Sequence, residues 1–166
     1  MPDSTMPASL IPDSPIPDSP MPETDPADAP VRFDTKVALV VRADLAVWQK
    51  LNVAAFLATG IAAAAPDALG EAYVDGAGRR YGRMLGQPML IFTADSDRLR
   101  AVRDAALERG LTLVPYVAAM FATGHDAANR AAFQAEDADA PDLVGLALRG
   151  PKKAVDKTVK GLALHG

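Results

Sequence analysis

Short apolar runs bounded by turn signals recur along the chain from residue 35 onward. They are rich in branched side chains, which is typical of strands covered on both faces. Four such runs predict buried strands, at residues 35–42, 89–93, 111–117 and 143–148. The stretch 73–81 predicts a hairpin instead, because Asp75 and Gly76 supply a tight turn.

Apolar residues at helical spacing fill the segments between these strands. The first predicted helix follows Asp44, a suitable N-terminal cap, and ends near residue 65. The second predicted helix covers residues 96–109 and has Leu107 on its apolar face. The remaining two cover residues 118–133, with a break at Thr123-Gly124, and residues 152–162. Strands that alternate with helices predict an α/β fold, a three-layer sandwich with a mixed, mostly parallel sheet.

The first 30 residues differ in composition from the rest of the chain. They hold 9 of the 14 prolines and no aromatic residue. Proline removes backbone donors and interrupts both helices and strands. We therefore expect residues 1–30 to form a disordered Pro/Asp/Ser-rich tail and residues 31–166 to form one domain.

The tail also carries most of the net negative charge. It contains six acidic residues and no Lys or Arg, which leaves 15 acids against 17 bases in the body. A nearly neutral body gives no electrostatic reason to expect a nucleic-acid or membrane partner. The longest apolar stretch, residues 53–65, is shorter than the roughly 20 residues that a membrane helix needs.

The lack of Cys, of a secretory signal and of metal- or phosphate-binding motifs bears on the cell compartment and on the cofactors to expect. The chain has no Cys, and its N-terminus lacks a basic region followed by an apolar run. These features lead us to expect a cytoplasmic protein. Neither a zinc-binding spacing nor a phosphate-cradling glycine loop is present in the sequence, so no metal or cofactor is expected.

Polar residues near the start of the first helix are the first candidate site. That helix is apolar nearly all round apart from four residues: Gln49, Lys50, Asn52 and Thr59. At 100° per residue, Gln49, Asn52 and Thr59 fall on one stripe. We interpret them as ligand-binding residues at the first strand–helix junction, where α/β folds commonly bind ligands. The alternative is a solvated first turn with one amide satisfied by the backbone.

The segment from Thr123 to Arg130 is the second candidate site. His125 and Asp126 are predicted to form an acid–base pair near Lys50, and Asn129 lies one helical turn after His125. Lys50, His125 and Asp126 are therefore the candidate catalytic residues. The alternative is helix capping by Thr123 or Asp126, with the other polar residues in solvent.

Two segments of the chain resemble the type II peptidyl-tRNA hydrolases. These are Val40-Val-Arg-Ala-Asp44, followed by Lys50, and Gly150-Pro151 with Val155-Asp-Lys157. The resemblance implies the fold of those enzymes but not their activity. Their histidine falls at Leu57, or at Ala58 if a one-residue gap is closed, and their aspartate falls at Ala118 or Ala119.

Longer strings are similar to a small bacterial family of unknown function with a peptidyl-tRNA hydrolase II-like fold. They are Trp48-Gln-Lys-Leu-Asn-Val-Ala-Ala-Phe-Leu57, Phe121-Ala-Thr-Gly-His-Asp-Ala-Ala-Asn-Arg130 and the end of the chain from Arg149. The similarity covers the body and excludes the tail. It implies the fold and no established activity.

Two classes of function stay open on the sequence. One is a protein that binds a small anionic or nucleotide-like ligand and acts on it as a hydrolase or transferase with an altered acid–base set. The other is a non-catalytic binding or interaction module that has lost hydrolase chemistry. Peptidyl-tRNA hydrolase activity is a remote third alternative, and a homodimer is an open arrangement.

Overall fold

The computed structural model of the protein describes residues 31–166, so the expected disordered tail lies outside the described residues. The described part contains seven strands and four α-helices. The strands are β1 (Thr35–Arg42), β2 (Leu69–Val74), β3 (Arg80–Leu85), β4 (Met89–Ala94), β5 (Thr112–Val117), β6 (Leu143–Pro151) and β7 (Ala163–Leu164). The helices are α1 (Val47–Ala64), α2 (Ser96–Glu108), α3 (Asp126–Gln134) and α4 (Lys152–Thr158). Two short 3₁₀ helices cover Pro66–Ala68 and Ala118–Ala122.

Five strands form one mixed sheet in the order β5-β6-β1-β4-β7. Within residues 31–166, β1 and β4 are the one parallel pair, while β1–β6, β5–β6 and β4–β7 are antiparallel. The α/β class is confirmed, but the prediction of a mostly parallel sheet is wrong. The physical reason is that β6 runs in reverse between β5 and β1, two strands that point the same way. Helices cover both faces of these strands. An antiparallel strand in this sheet is therefore as apolar in sequence as a parallel one, and its direction cannot be told from its composition.

Helices lie on both faces of this sheet and produce three layers. On one face, α1 packs through Val53, Leu57 and Ile61 against alternate residues of β1. On the other face, α2 and α4 pack against Ala38 and Val40. The core therefore has two halves separated by the sheet, and β1 contributes to both through the alternation of its side chains.

A glycine in β6 lets α1 approach the sheet closely. A Cβ atom added at Gly145 would overlap Val53 Cγ1 and come within 3.0 Å of Leu57 Cδ1. The two helix side chains thus occupy the space above Gly145. Leu57, at the position that the resemblance assigns to a histidine, is fully buried in this contact.

The structure differs from the elements predicted from sequence in three local details. Asp44 does not cap α1: its carboxylate accepts from Arg42 Nε at 2.7 Å, while the Gln49 side chain accepts from the Ala46 N–H at 3.0 Å. Leu107 is 60% exposed, so it is not part of the buried face of α2. The last predicted helix stops at Thr158, and the chain then returns to pair with β4 as β7.

The hairpin and the break in the third helical segment are as predicted. β2 and β3 form a separate two-stranded sheet, and Asp75 Oδ1 accepts from the N–H groups of Ala77 and Arg79 in its turn. Thr123 separates the 3₁₀ helix from α3. Within residues 31–166, the helices fall short of the length and hydropathy needed to cross a membrane.

Candidate functional site

A cavity of about 370 Å³ opens between the start of α1, the end of β5 and the start of α3. Aromatic side chains form much of its lining: Trp48, Phe56, Tyr116 and Phe121. Polar side chains also reach it: Asn52, Thr123, His125, Asp126 and Asn129. Four of the residues predicted from sequence therefore meet in one cavity, namely Asn52, His125, Asp126 and Asn129.

The spacing of α1 explains how this helix contributes to the cavity. Trp48, Asn52 and Phe56 follow one another at four-residue intervals and so share a face. The side chains that pack on the sheet, Val53 and Leu57, lie on a neighbouring face. Trp48 is 61% exposed and Phe56 is 51% exposed. The wall that α1 gives to the cavity is thus largely aromatic and faces solvent at the edge of the core.

The four rings form a continuous series around the cavity. Trp48 and Phe121 have centroids 5.6 Å apart at an interplanar angle of 67°. Phe121 and Tyr116 are 5.3 Å apart at 47°, and Tyr116 and Phe56 are 5.8 Å apart at 61°. These angles are those of edge-to-face and tilted pairs, a favoured arrangement of aromatic rings. Successive rings therefore stand as adjoining walls and not as a stack.

Tyr116 joins the aromatic walls to the polar residues. Its ring is 5% exposed, and its hydroxyl donates to Asn52 Oδ1 at 3.1 Å. Burial raises the pKa of the Tyr116 phenol, so the hydroxyl stays protonated at neutral pH. Within residues 31–166, the amide nitrogen of Asn52 has no protein acceptor. It is a hydrogen-bond donor available to a ligand.

The start of α3 supplies the other polar groups, and most of them are already engaged. His125 is the N-terminal cap of α3, because its Nδ1 accepts from the Ala128 N–H at 3.3 Å. Asp126 forms an ion pair with Arg130, and the Thr123 hydroxyl bonds to the Asn129 amide and to the Met120 carbonyl. Among the described residues, no hydrogen bond joins His125 to Asp126. Capping and local pairing thus account for much of this segment.

The remaining predicted residues lie elsewhere on α1. Lys50 is outside the lining of the cavity. Gln49 bonds to the Ala46 N–H, and the Thr59 hydroxyl donates to the Phe56 carbonyl at 2.8 Å. The predicted stripe of Gln49, Asn52 and Thr59 is therefore divided between helix-internal bonds and the cavity. The four-residue spacing of Trp48, Asn52 and Phe56 was the signal that the sequence offered for the aromatic walls.

A larger cavity of about 1030 Å³ adjoins the first. Residues shared by the two linings are Phe56, Tyr116, Met120, Asp126 and Asn129. Its wall is mostly apolar and includes Leu113, Val114, Phe133 and Leu143, and its charged residues lie on α2, α3 and the loop after α3. The two cavities therefore adjoin and share part of their walls.

Among the described charged side chains around the larger cavity, both arginines have ion-pair partners but several carboxylates do not. Arg103 pairs with Asp104, and Arg130 pairs with Asp126. Within residues 31–166, Glu136, Asp137 and Asp139 form no ion pair, although all three line the cavity. The loop from Glu136 to Asp139 thus gives this surface an excess of negative charge. The same described range contains no group of three or more His, Asp or Glu placed to hold a metal ion.

Comparisons with known proteins identify the family of the chain. The family model described as "Protein of unknown function (DUF2000)" matches residues 35–166, and the chain belongs to this family. The chain is also similar to the solved structure of the protein of unknown function Atu0240 from Agrobacterium tumefaciens strain C58. The two share 49% sequence identity with a TM-score of 0.78, over 81% of this chain and 100% of that one. No functionally curated protein matches the chain.

Proposed function

We propose that this member of the DUF2000 family binds a small molecule in the cavity between α1, β5 and α3, and holds it without chemical turnover. One observation carries the proposal. Four aromatic rings and five polar side chains from three separate segments converge on one concave surface. Apolar walls with a few placed polar groups are the usual composition of small-molecule sites.

The apolar surface that Trp48 and Phe56 leave exposed supports a ligand at this position. Trp48 and Phe56 are more than half exposed, whereas the sheet-facing side of α1 is fully buried. Apolar surface removed from water stabilises a complex by roughly 25 cal/mol per Å². A ligand with a flat or apolar body would recover that energy. The amide N–H of Asn52, whose oxygen accepts from Tyr116, would orient it by a hydrogen bond.

The charged side chains that line the smaller cavity indicate which ligand charge it favours. Among the described residues around the smaller cavity there is no Lys or Arg, and Asp126 is its one carboxylate. A phosphate placed there would have no side-chain cation to pair with. The anionic ligand expected from the sequence is therefore not favoured at this position. The base of a nucleotide-like ligand remains compatible, because any planar ring system can pack on aromatic side chains.

The arrangement favours binding over catalysis for a chemical reason. A general base needs a free lone pair within reach of the substrate proton. The Nδ1 lone pair of His125 is held by the Ala128 N–H, and the Asp126 carboxylate is held by Arg130. Lys50, the third residue expected in an acid–base set, does not line the cavity. A non-catalytic binding module is thus better supported than a hydrolase or transferase.

The fold proposed for this module is that of the type II peptidyl-tRNA hydrolases. The support is the Val40-Val-Arg-Ala-Asp44 segment, which ends the central strand and leads into α1 as the resemblance implies. Leu57 and Ala118, at the positions of the hydrolase histidine and aspartate, argue against peptidyl-tRNA cleavage. The fold proposal would fail if superposition on such an enzyme did not align β1, α1 and β6 in the same order and direction.

Trp48 provides a direct test, because it is the single Trp of the chain and lies in the cavity wall. Emission and melting temperature would be measured against nucleosides, amino acids and acyl conjugates. We expect at least one compound to change the emission saturably and to raise the melting temperature, as a ligand of the folded state must. We expect Phe121→Leu to weaken its binding at least tenfold, about 1.4 kcal/mol. Tyr73→Leu, which removes an exposed ring from β2, is the matched control.

Two results would count against the proposal. If the Phe121→Leu and Tyr73→Leu proteins bound the compound equally, the ligand would lie outside this cavity. If the bound compound were converted to a product, the absence of turnover would be wrong.

A further inference from the structure

We infer that the ligand of this site is a neutral amphiphile, with an apolar chain in the larger cavity and a polar head at the smaller one. This ligand class rests on the proposed function and extends it to the second cavity. The two cavities share part of their walls, yet their remaining linings offer different chemistry.

Aliphatic side chains dominate the apolar wall of the larger cavity. They come from five elements: Leu57 from α1, Leu107 from α2, Leu113 and Val114 from β5, Met120 from the second 3₁₀ helix and Leu143 from β6. Such side chains pack against a flexible hydrocarbon through many small contacts, and Met adapts its shape to the chain that it meets. The smaller cavity combines aromatic rings with several polar side chains instead. The larger cavity therefore suits the chain of an amphiphile, and the smaller one suits its head.

Part of the aliphatic wall is left in water. Leu107 on α2 is 60% exposed and Phe133 on α3 is 41% exposed, while Leu113 and Val114 on β5 are half-buried. These side chains converge from three elements on one cavity of about 1030 Å³. That volume is at the upper end of the range of roughly 300–1,000 Å³ that small-molecule sites occupy. An apolar chain in this cavity would remove the exposed surface from water and bind in proportion to the area covered.

A peptide that adds a strand to the sheet is a poorer occupant. β5 is the strand at one edge of the five-stranded sheet, and its residues 113–116 line the larger cavity. Pro115 lies in the middle of this strand, opposite Leu146 of β6. Proline has no N–H to donate, and on an edge strand it opposes the addition of a further strand. A hydrocarbon chain needs no hydrogen bond from this edge.

The charged groups around the larger cavity disfavour an acid as the head of the ligand. Arg103 donates to Asp104 and to two backbone carbonyls of the loop after α3. Arg130 pairs with Asp126. A carboxylate head would compete for cations that are already engaged, beside a loop that carries acidic residues at positions 136, 137 and 139.

The acidic loop serves its own backbone and is not in itself a site for a cation. Glu136 Oε2 accepts from the Asp142 N–H at 2.8 Å, and Asp137 Oδ1 accepts from the Asp139 N–H at 2.9 Å. The polar group offered to a ligand is the amide N–H of Asn52 in the smaller cavity, which can donate to a carbonyl oxygen. The head is therefore uncharged and carries a hydrogen-bond acceptor.

A series of straight-chain amides separates the chain from the head. N-methylhexanamide, N-methyloctanamide and N-methyldecanamide would be titrated into the full-length protein, with Trp48 emission and melting temperature as readouts. Each fully buried methylene strengthens binding by up to about fourfold, so we expect a gain of at least tenfold from the hexanamide to the decanamide. Decanoate, which has the same chain on a carboxylate head, should bind at least tenfold more weakly than N-methyldecanamide.

Two kinds of variant assign the effect to each cavity. Leu107→Gln should reduce the gain with chain length at least threefold. Leu51→Gln, at a similarly exposed leucine on α1 outside both linings, should leave that gain unchanged. Asn52→Asp keeps an acceptor for the Tyr116 hydroxyl but removes the N–H donor, so it should weaken all three amides by the same factor. Circular dichroism of each variant would verify that the fold is retained.

The outcomes separate the amphiphile from the proposed function. If affinity did not rise with chain length, the apolar chain would be wrong, and a nucleoside that bound in its place would still support the proposed function. Decanoate binding as tight as that of the amide would overturn the neutral head. A gain with chain length that is the same in the Leu107→Gln and Leu51→Gln proteins would place the chain outside the larger cavity and overturn the assignment.

Discussion

Replacing Leu57 by histidine tests how closely α1 packs on the sheet. Leu57 is fully buried between α1 and the sheet and lies against the space above Gly145. Fully burying a leucine side chain contributes about 1.5–3 kcal/mol. An imidazole at the same place would lose most of that energy. It would also leave a buried ring nitrogen without a partner, at a cost of about 1–3 kcal/mol.

The expected destabilisation from Leu57→His is therefore about 2.5–6 kcal/mol. It would be measured as the change in free energy of unfolding by urea denaturation at pH 8, with circular dichroism as the probe. Leu51→His is the matched control, because Leu51 lies on the same helix and is 67% exposed. A surface change of that kind is expected to stay within about 0.5 kcal/mol.

The Leu57→His protein should also lose stability as the pH falls. Burial lowers the pKa of a histidine in the folded state, while in the unfolded chain it stays near 6.5. Below that value the unfolded state binds the extra proton, so the free energy of unfolding decreases between about pH 7 and pH 5. We expect no gain of peptidyl-tRNA cleavage. A loss below about 1 kcal/mol, or efficient cleavage, would refute the argument that position 57 belongs to the core.

Three further changes test other parts of the structure. Gly145→Ala should destabilise by about 1–3 kcal/mol in urea denaturation, because its Cβ would overlap α1, whereas Gly82→Ala, with open space around its Cβ, should not. Tyr116→Phe should cost about 1 kcal/mol for the lost hydrogen bond. Burial raises the pKa of Tyr116, so the native protein should lose stability as the pH rises above about 10, and the variant should lose less. Lys50→Ala should leave ligand affinity within about twofold, since Lys50 does not line the cavity; a tenfold loss would return it to the site.

The fold could be predicted from sequence where the signal was local. The hairpin turn at Asp75 and the break near Thr123 depend on residues close in the chain, and both are present. Strand direction is not a local property. Residues 143–148 are apolar at every position, which shows burial on both faces but not that β6 runs against β1. The short strand β7 escaped prediction because two residues at an exposed sheet edge carry no periodic pattern.

The site residues were partly predictable for a similar reason. Asn52 and His125 stood out because they are polar residues in or beside apolar segments. Trp48 and Phe56 did not, because an aromatic residue on an apolar helix is usually part of the core. Their exposure depends on which face of α1 packs on the sheet, and here Val53 and Leu57 pack there, over the space that Gly145 leaves open.

The rotation of α1 also explains why a ligand site on this helix would differ from the one that the hydrolase resemblance implies. Positions 50 and 57 are seven residues apart, so they lie on one face of the helix, about 20° from two whole turns. Leu57 on that face is fully buried over Gly145 and also borders the larger cavity, so a histidine there would be packed against the sheet. Trp48, Asn52 and Phe56 lie on another face, and that face borders the cavity. A ligand that contacts α1 in the smaller cavity would therefore meet this aromatic face of the helix.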